Sequence, residues 1–404
     1  MKMLHILLGS VLLAAIGGAV WTTVAQRDTL ADATRPYRPA SRPHVVSPEE
    51  QAIAEFHALH PHITQQKDIG RISAPHQHRV QAVAFSPDGS RLATAGAEGD
   101  ICTWSLPDLK PLLHIETHAG VLYALAWSPD SRRLVSGGQD TWIEVWDSTT
   151  GELVDRHKQA CPVTGVGFFS DGTHLVSLCG EVVRFWLIGQ DDELFEATPD
   201  TDSEFSQLAV TSDNLVAIAD RTGGLLLLDA QGNPLDHLRR RTQHVRGSPM
   251  AADDERNWVI GLRPVADGRV LVCDSSGVWM WDRRKSGGAA MSLIVPGVGN
   301  WHAALAPDGH TLLIGMEHAG RVIDLTSGKT LVDSFVAGSE LGTVDIDPQG
   351  RWYAIGSGGV YNEQGIEDRG PTAVQLFDLR AVLARGPSKD QPKPADMRDI
   401  EPWQ

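Results

Sequence analysis

The chain has 404 residues, 42% of them hydrophobic and 21% charged, and a formal net charge of -16. That length holds one large domain or two ordinary ones, and the composition is that of a globular protein. So acidic a surface repels a phosphate backbone, which excludes nucleic acid as a general partner.

Tryptophan occurs 12 times while Tyr and Phe are few, which suggests a recurring structural position. Forty glycines and 23 prolines suit a fold with many tight turns. The four cysteines (Cys102, Cys161, Cys179 and Cys273) show no C-x-x-C or zinc-finger spacing. Buried free thiols are the first expectation. Cys161 and Cys179 fall in one repeat, and spacing leaves open whether they pair. No metal or cofactor is expected.

Residues 3–26 carry no formal charge and are mostly apolar, long enough to cross a hydrocarbon layer as a helix. With Lys2 as a short positive flank, residues 1–26 are expected to form a signal anchor, with a cleaved signal peptide as the alternative. Lys2 favours an exported body, periplasmic or extracellular, although Arg27, Arg35, Arg38 and Arg42 pull the other way. Residues 27–66 are expected to be a linker. Within it, Ser47, Pro48 and Glu50 start a short amphipathic helix over about 48–60, with Ile53, Phe56 and Leu59 on one face.

Self-similarity then dominates. VQAVAFSPDG at 80–89 is echoed at 122–130, 163–172, 301–309 and 341–350. Each copy is an alternating strand ending in a Pro/Asp/Gly turn. A second strand follows, and then a third ending in Trp104, Trp146, Trp186, Trp281 or Phe377. Weaker units at 205–229 and 257–282 fill the gap. The period of about 40–45 residues is that of propeller blades. Seven blades are expected over 67–380, starting near 77, 119, 161, 204, 257, 299 and 341, with a disordered tail over 381–404.

These motifs resemble the WD-repeat propeller family, over about three-quarters of the chain. The resemblance implies an all-β, seven-bladed, monomeric β-propeller. It also implies a structural tetrad of His, Ser/Thr, Asp and Trp in each blade. In the second blade those roles fall on His118, Ser136, Asp140 and Trp146. In the first, His76, Thr94 and Trp104 match, and Glu98 stands where Asp is expected. A buried indole N–H needs an acceptor, and the hydroxyl supplies one. Later blades lose most of the tetrad and are expected to rely on apolar packing. The tetrad is structural; nothing like a nucleophile elbow accompanies it. No outer strand follows 372–380, so residues 68–73 are expected to complete the seventh blade, as is usual in the family. Both ends of the propeller then leave from its bottom face.

The resemblance implies a non-enzymatic scaffold that binds a protein partner on its top face. The candidate contacts are Trp142, on a turn beside Asp140, and two insertions. One insertion, 239–256, carries Arg239, Arg240, Arg241 and Arg246. The other, 358–370, carries Tyr361, Glu363 and Arg369. A binder of a small ligand or cell-envelope polymer is the alternative, and an enzyme working in the central channel is a further one.

Overall fold

The computed structural model describes residues 70–73, 76, 78–117, 120–199, 204–238, 259–265, 267–274, 276–285, 290–296, 302–316, 319–335, 340–358, 360–362, 365–367 and 373–385. Residues 1–69, which hold the expected membrane segment and short helix, lie outside them. No helix among the described residues is long and apolar enough to cross a membrane.

Seven four-stranded antiparallel sheets form the seven blades of the expected propeller. Six are consecutive in sequence, over 80–116, 122–158, 165–197, 205–238, 259–296 and 302–335. In the seventh the inner three strands are Glu340–Ile346, Trp352–Gly358 and Ala373–Asp378. Its outer strand is Gly70–Ser73, paired antiparallel with the third strand from Gly70↔Leu376 to Ser73↔Ala373. The expected latch is therefore present. Gly70 and Asp378 lie at the same end of that sheet, so the chain enters and leaves the ring on one face.

Burial explains why the repeats assemble. The core is not one central mass. It divides into seven apolar clusters, each shared by two consecutive blades, and the last joins Val83, Phe85 and Leu92 of blade 1 to Val374 and Leu376 of blade 7. A lone blade would leave both faces wet, so each sheet depends on its two neighbours. Glycine lets inner strands close up: a Cβ at Gly167 would stand 2.6 Å from Val210 Cγ2 of the next blade.

The turns between inner and second strands share one construction. Ser86 Oγ donates to Asp88 Oδ1 at 2.6 Å, as Ser128 does to Asp130, and Gly89 and Gly172 take positive φ. Polar contacts carry these turns from blade to blade. The Arg91 guanidinium donates to the Ser131 and Ser148 carbonyls of blade 2, and Arg133 to the Gly172 carbonyl of blade 3. Arg351 of blade 7 donates to Gly89 O of blade 1 at 2.8 Å.

One boundary differs from the expected tail over 381–404. Residues Leu379–Arg385 form a helix. Asp378 Oδ1 accepts the Ala381 N–H at 3.0 Å and caps it, while Leu379 and Val382 are buried with the cluster between blades 6 and 7. The short apolar repeat hidden in LRAVL was masked by the polar residues after it. Residues 386–404 lie outside the described residues.

A chain beginning at residue 75 lacks the outer strand of blade 7 and bares the edge of Ala373–Asp378. It is expected to unfold at lower urea concentration than the full chain and to self-associate through that edge. Equal midpoints and a monomeric truncated form, by urea titration and light scattering, would show that the latch is dispensable.

Candidate functional site

In each blade the second and third strands place one residue pair at the position of the tetrad hydroxyl and indole. In blade 1, His76 Nε2 lies 2.9 Å from Thr94 Oγ1, and Trp104 Nε1 donates to the same oxygen at 3.4 Å. Glu98 takes the place expected for Asp: its Oε1 is 2.8 Å from His76 Nδ1. Burial opposes ionisation of Glu98, but the His76 contact outweighs it and holds the carboxyl below its ordinary range. In blade 2, Trp146 Nε1 donates to Ser136 Oγ at 3.0 Å, and Asp140 Oδ1 accepts the Trp142 N–H. His118 lies outside the described residues.

Blade 3 holds a network that the tetrad pattern missed. Trp186 Nε1 donates to Ser177 Oγ at 2.7 Å, the Gln159 amide donates to it at 2.5 Å, and Arg184 donates to Gln159 Oε1 at 2.9 Å. Glutamine replaces His, and Arg184, on the third strand opposite Ser177, takes the outer end of the hydrogen-bond chain. The signal was present in the spacing: Gln159 precedes Ser177 by 18 residues, as His76 precedes Thr94. Cys161 and Cys179 repeat that separation of 18, two residues further on, and they are disulfide-bonded with Cα atoms 5.6 Å apart. This corrects the expectation of free thiols there. Cys102 and Cys273 are free and buried, and burial pushes both thiols up to about 12, so neither is a nucleophile at neutral pH.

Beyond blade 3 the hydroxyl disappears. Its position is taken by Ile218, Val272, Ile314 and Ile355 in blades 4 to 7, as the register shows. The Trp position holds Leu228, Trp281, Ile323 and Phe377. The change is conservative except in blade 5. There Trp281 is fully buried beside Val272, and its indole N–H has no hydrogen-bond partner among the described residues.

Trp142 does not stand free on a turn. It opens the third strand of blade 2 directly opposite Lys158, with its ring half-buried. The Arg156 guanidinium lies 3.8 Å from the ring centroid and the Lys158 ammonium 4.5 Å from it. Those distances are cation–π contacts. The preceding residue, Thr141, has φ 74°, a strained backbone for a β-branched residue, where blade 1 uses Gly99 at φ 97°. That turn aims the indole. Tyr123, 43% exposed, begins the inner strand of the same blade at the same end of the sheet.

Within 358–370 the strands Val360–Asn362 and Gly365–Glu367 form a two-stranded ribbon, Tyr361 facing Ile366 in register. Glu363 and Arg369 lie outside the described residues, as do Arg239, Arg240, Arg241 and Arg246. The structure thus brings together Trp142, Arg156 and Lys158. Among the described residues no group of His, Cys, Asp and Glu is placed to hold a metal ion.

The indole acceptor gives a paired test. Ser136→Ala strands the Trp146 N–H and is expected to cost about 1–3 kcal/mol, whereas Val272→Thr supplies Trp281 with an acceptor and is expected to gain about 0.5–1.5 kcal/mol. Urea unfolding of both variants checks the two signs. Reducing Cys161–Cys179 is expected to lower the unfolding free energy by about 3 kcal/mol, the loop-closure effect for a loop of this size. Unchanged midpoints with and without reductant would show that the bond contributes nothing.

Comparison with known proteins places these features. Residues 69–105 and 109–147 match the family model described as WD domain, G-beta repeat. Those segments contain the inner three strands of blades 1 and 2. No curated protein matches the chain. Among solved structures, the β-propeller domain of Cps50 (Swd1) from Myceliophteria thermophila is similar in fold. It is 14% identical with a TM-score of 0.59, and the match covers 77% of this chain and 99% of that one.

Proposed function

We propose that this propeller is a non-enzymatic scaffold that binds an acidic segment of a partner protein on the face carrying Trp142. WD-repeat propellers generally act as protein-interaction scaffolds, and that analogy supports the class of function only. The observation that carries the site is the stack of Trp142 with Arg156 and Lys158. It concentrates two cations and an aromatic face in a protein of net charge -16. Both cations stack on the indole and neither pairs with a carboxylate among the described residues, so a partner's Asp or Glu side chains have two cations to pair with. Tyr123 extends the surface toward the axis.

We further propose that the propeller is exported and tethered by residues 1–26, with the Trp142 face turned away from the bilayer. The apolar run at 3–26, the entry and exit of the chain on the opposite face, and the disulfide support this reading, since structural disulfides persist in oxidising compartments.

Affinity purification from detergent-solubilised membranes tests the binding reading. Trp142→Ala and the double variant Arg156→Ala/Lys158→Ala are expected to lose most of the bound partner, an affinity drop of about thirtyfold for a hot-spot side chain. The same partner recovered at wild-type yield by both variants would overturn the proposal.

A further inference from the structure

The axial channel is uneven. One position aligns across the seven inner strands, and Ala84, Ala126, Gly167, Ala209 and Arg263 at that position line the channel cavity. Five of the seven residues there are Ala84, Ala126, Gly167, Ala209 and Ala304; the other two are Arg263 of blade 5 and Asp345 of blade 7. Two residues earlier, blades 4, 6 and 7 carry Gln207, His302 and Thr343, blade 5 carries Gly261, and blades 1 to 3 carry Ala82, Ala124 and Gly165, all lining the cavity. One side of the channel is therefore polar and the other is small and apolar. The small side chains leave a cavity of about 350 Å³ that Gln207, Arg263, His302 and Thr343 help to line. That volume suits a small ligand.

The charges in the sector are unequal in their commitments. Asp345 Oδ2 accepts the Phe85 N–H of blade 1 at 2.9 Å, which ties it to the wall. Burial raises its carboxyl, and Arg263 opposes that. Burial, and then the charge of Arg263, lowers the His302 imidazole to about 4, so it is neutral at physiological pH. Arg263 is half-buried in the cavity wall and, among the described residues, forms no hydrogen bond or close ion pair. A partly desolvated guanidinium is costly without acceptors, and its planar fork matches a carboxylate.

We propose that the channel binds a small organic carboxylate, its anion on Arg263 and its apolar body against the Ala and Gly of blades 1 to 3. Gln207, His302 and Thr343 surround the anion with further donors. The site is independent of the Trp142 face. It fits butyrate or benzoate by size, and inorganic phosphate is the competing oxyanion.

Isothermal titration of the full-length chain with butyrate, benzoate and phosphate, at constant ionic strength, decides the matter. Saturable one-site binding of a carboxylate is expected, weakened at least about tenfold by Arg263→Gln and less by Arg263→Lys. Thr343→Val, which keeps volume and removes a hydroxyl, is expected to weaken it several-fold and serves if Arg263→Gln does not fold. Absence of saturable carboxylate binding, wild-type affinity in folded Arg263→Gln, or wild-type affinity in both Arg263→Lys and Thr343→Val would overturn the site. Saturation by phosphate and by neither carboxylate would overturn the ligand class.

Discussion

Closure of the ring is the constraint on which the remaining structure depends. Every apolar cluster is shared by two consecutive blades, so no blade is complete until both neighbours are in place. The cluster between blades 7 and 1 joins residues nearly 300 positions apart in sequence, and it forms only when the ends meet. Gly70–Ser73 supplies the backbone half of that meeting. Arg351 and Asp345, donating and accepting across the same junction, supply the polar half. A latch made of backbone hydrogen bonds also removes an edge that would otherwise invite pairing with a second molecule.

Within the closed ring, stabilisation grades from polar to apolar along the chain. Blades 1 to 3 position a Trp by a hydroxyl, held in blade 1 by His76 and in blade 3 by Gln159. Blades 4, 6 and 7 fill the same space with branched aliphatic or aromatic side chains. Both solutions satisfy the rule that a buried donor needs an acceptor, either by providing one or by removing the donor. Blade 5 does neither at Trp281. In blade 3 the disulfide ties together the two segments that the Gln159–Ser177 contact joins, one pleat further along. A covalent link stands beside a hydrogen-bond chain that ends on Arg184.

Two surfaces follow from departures from the repeat. The Trp142 face exists because blade 2 places Arg156 and Lys158 on its outer strand, where blade 1 has His114, itself paired with Asp100, and Glu116. The channel site exists because Arg263 of blade 5 breaks a position held elsewhere mostly by Ala and Gly, with Gln207, His302 and Thr343 of blades 4, 6 and 7 nearby in the cavity wall. In each case chemistry appears where the repeat is not copied, and the scaffold is built from what is copied.

Much of this was legible in the sequence alone. Seven units, their strand order, the completion of blade 7 by residues before blade 1, and the roles of His76, Thr94, Ser136, Trp104 and Trp146 all follow from period and motif. Those features are local or repeated, and repetition makes a weak signal strong. The pairing of Cys161 with Cys179, the stacking of Trp142 with Arg156 and Lys158, the short helix at Leu379–Arg385, and the meeting of Arg263 and His302 in the channel were decided by the tertiary structure. Each depends on which neighbours a side chain meets across a sheet or around an axis. A hydrophobic pattern fixes the face on which a residue lies, but the ring's geometry sets the distance between residues on different blades.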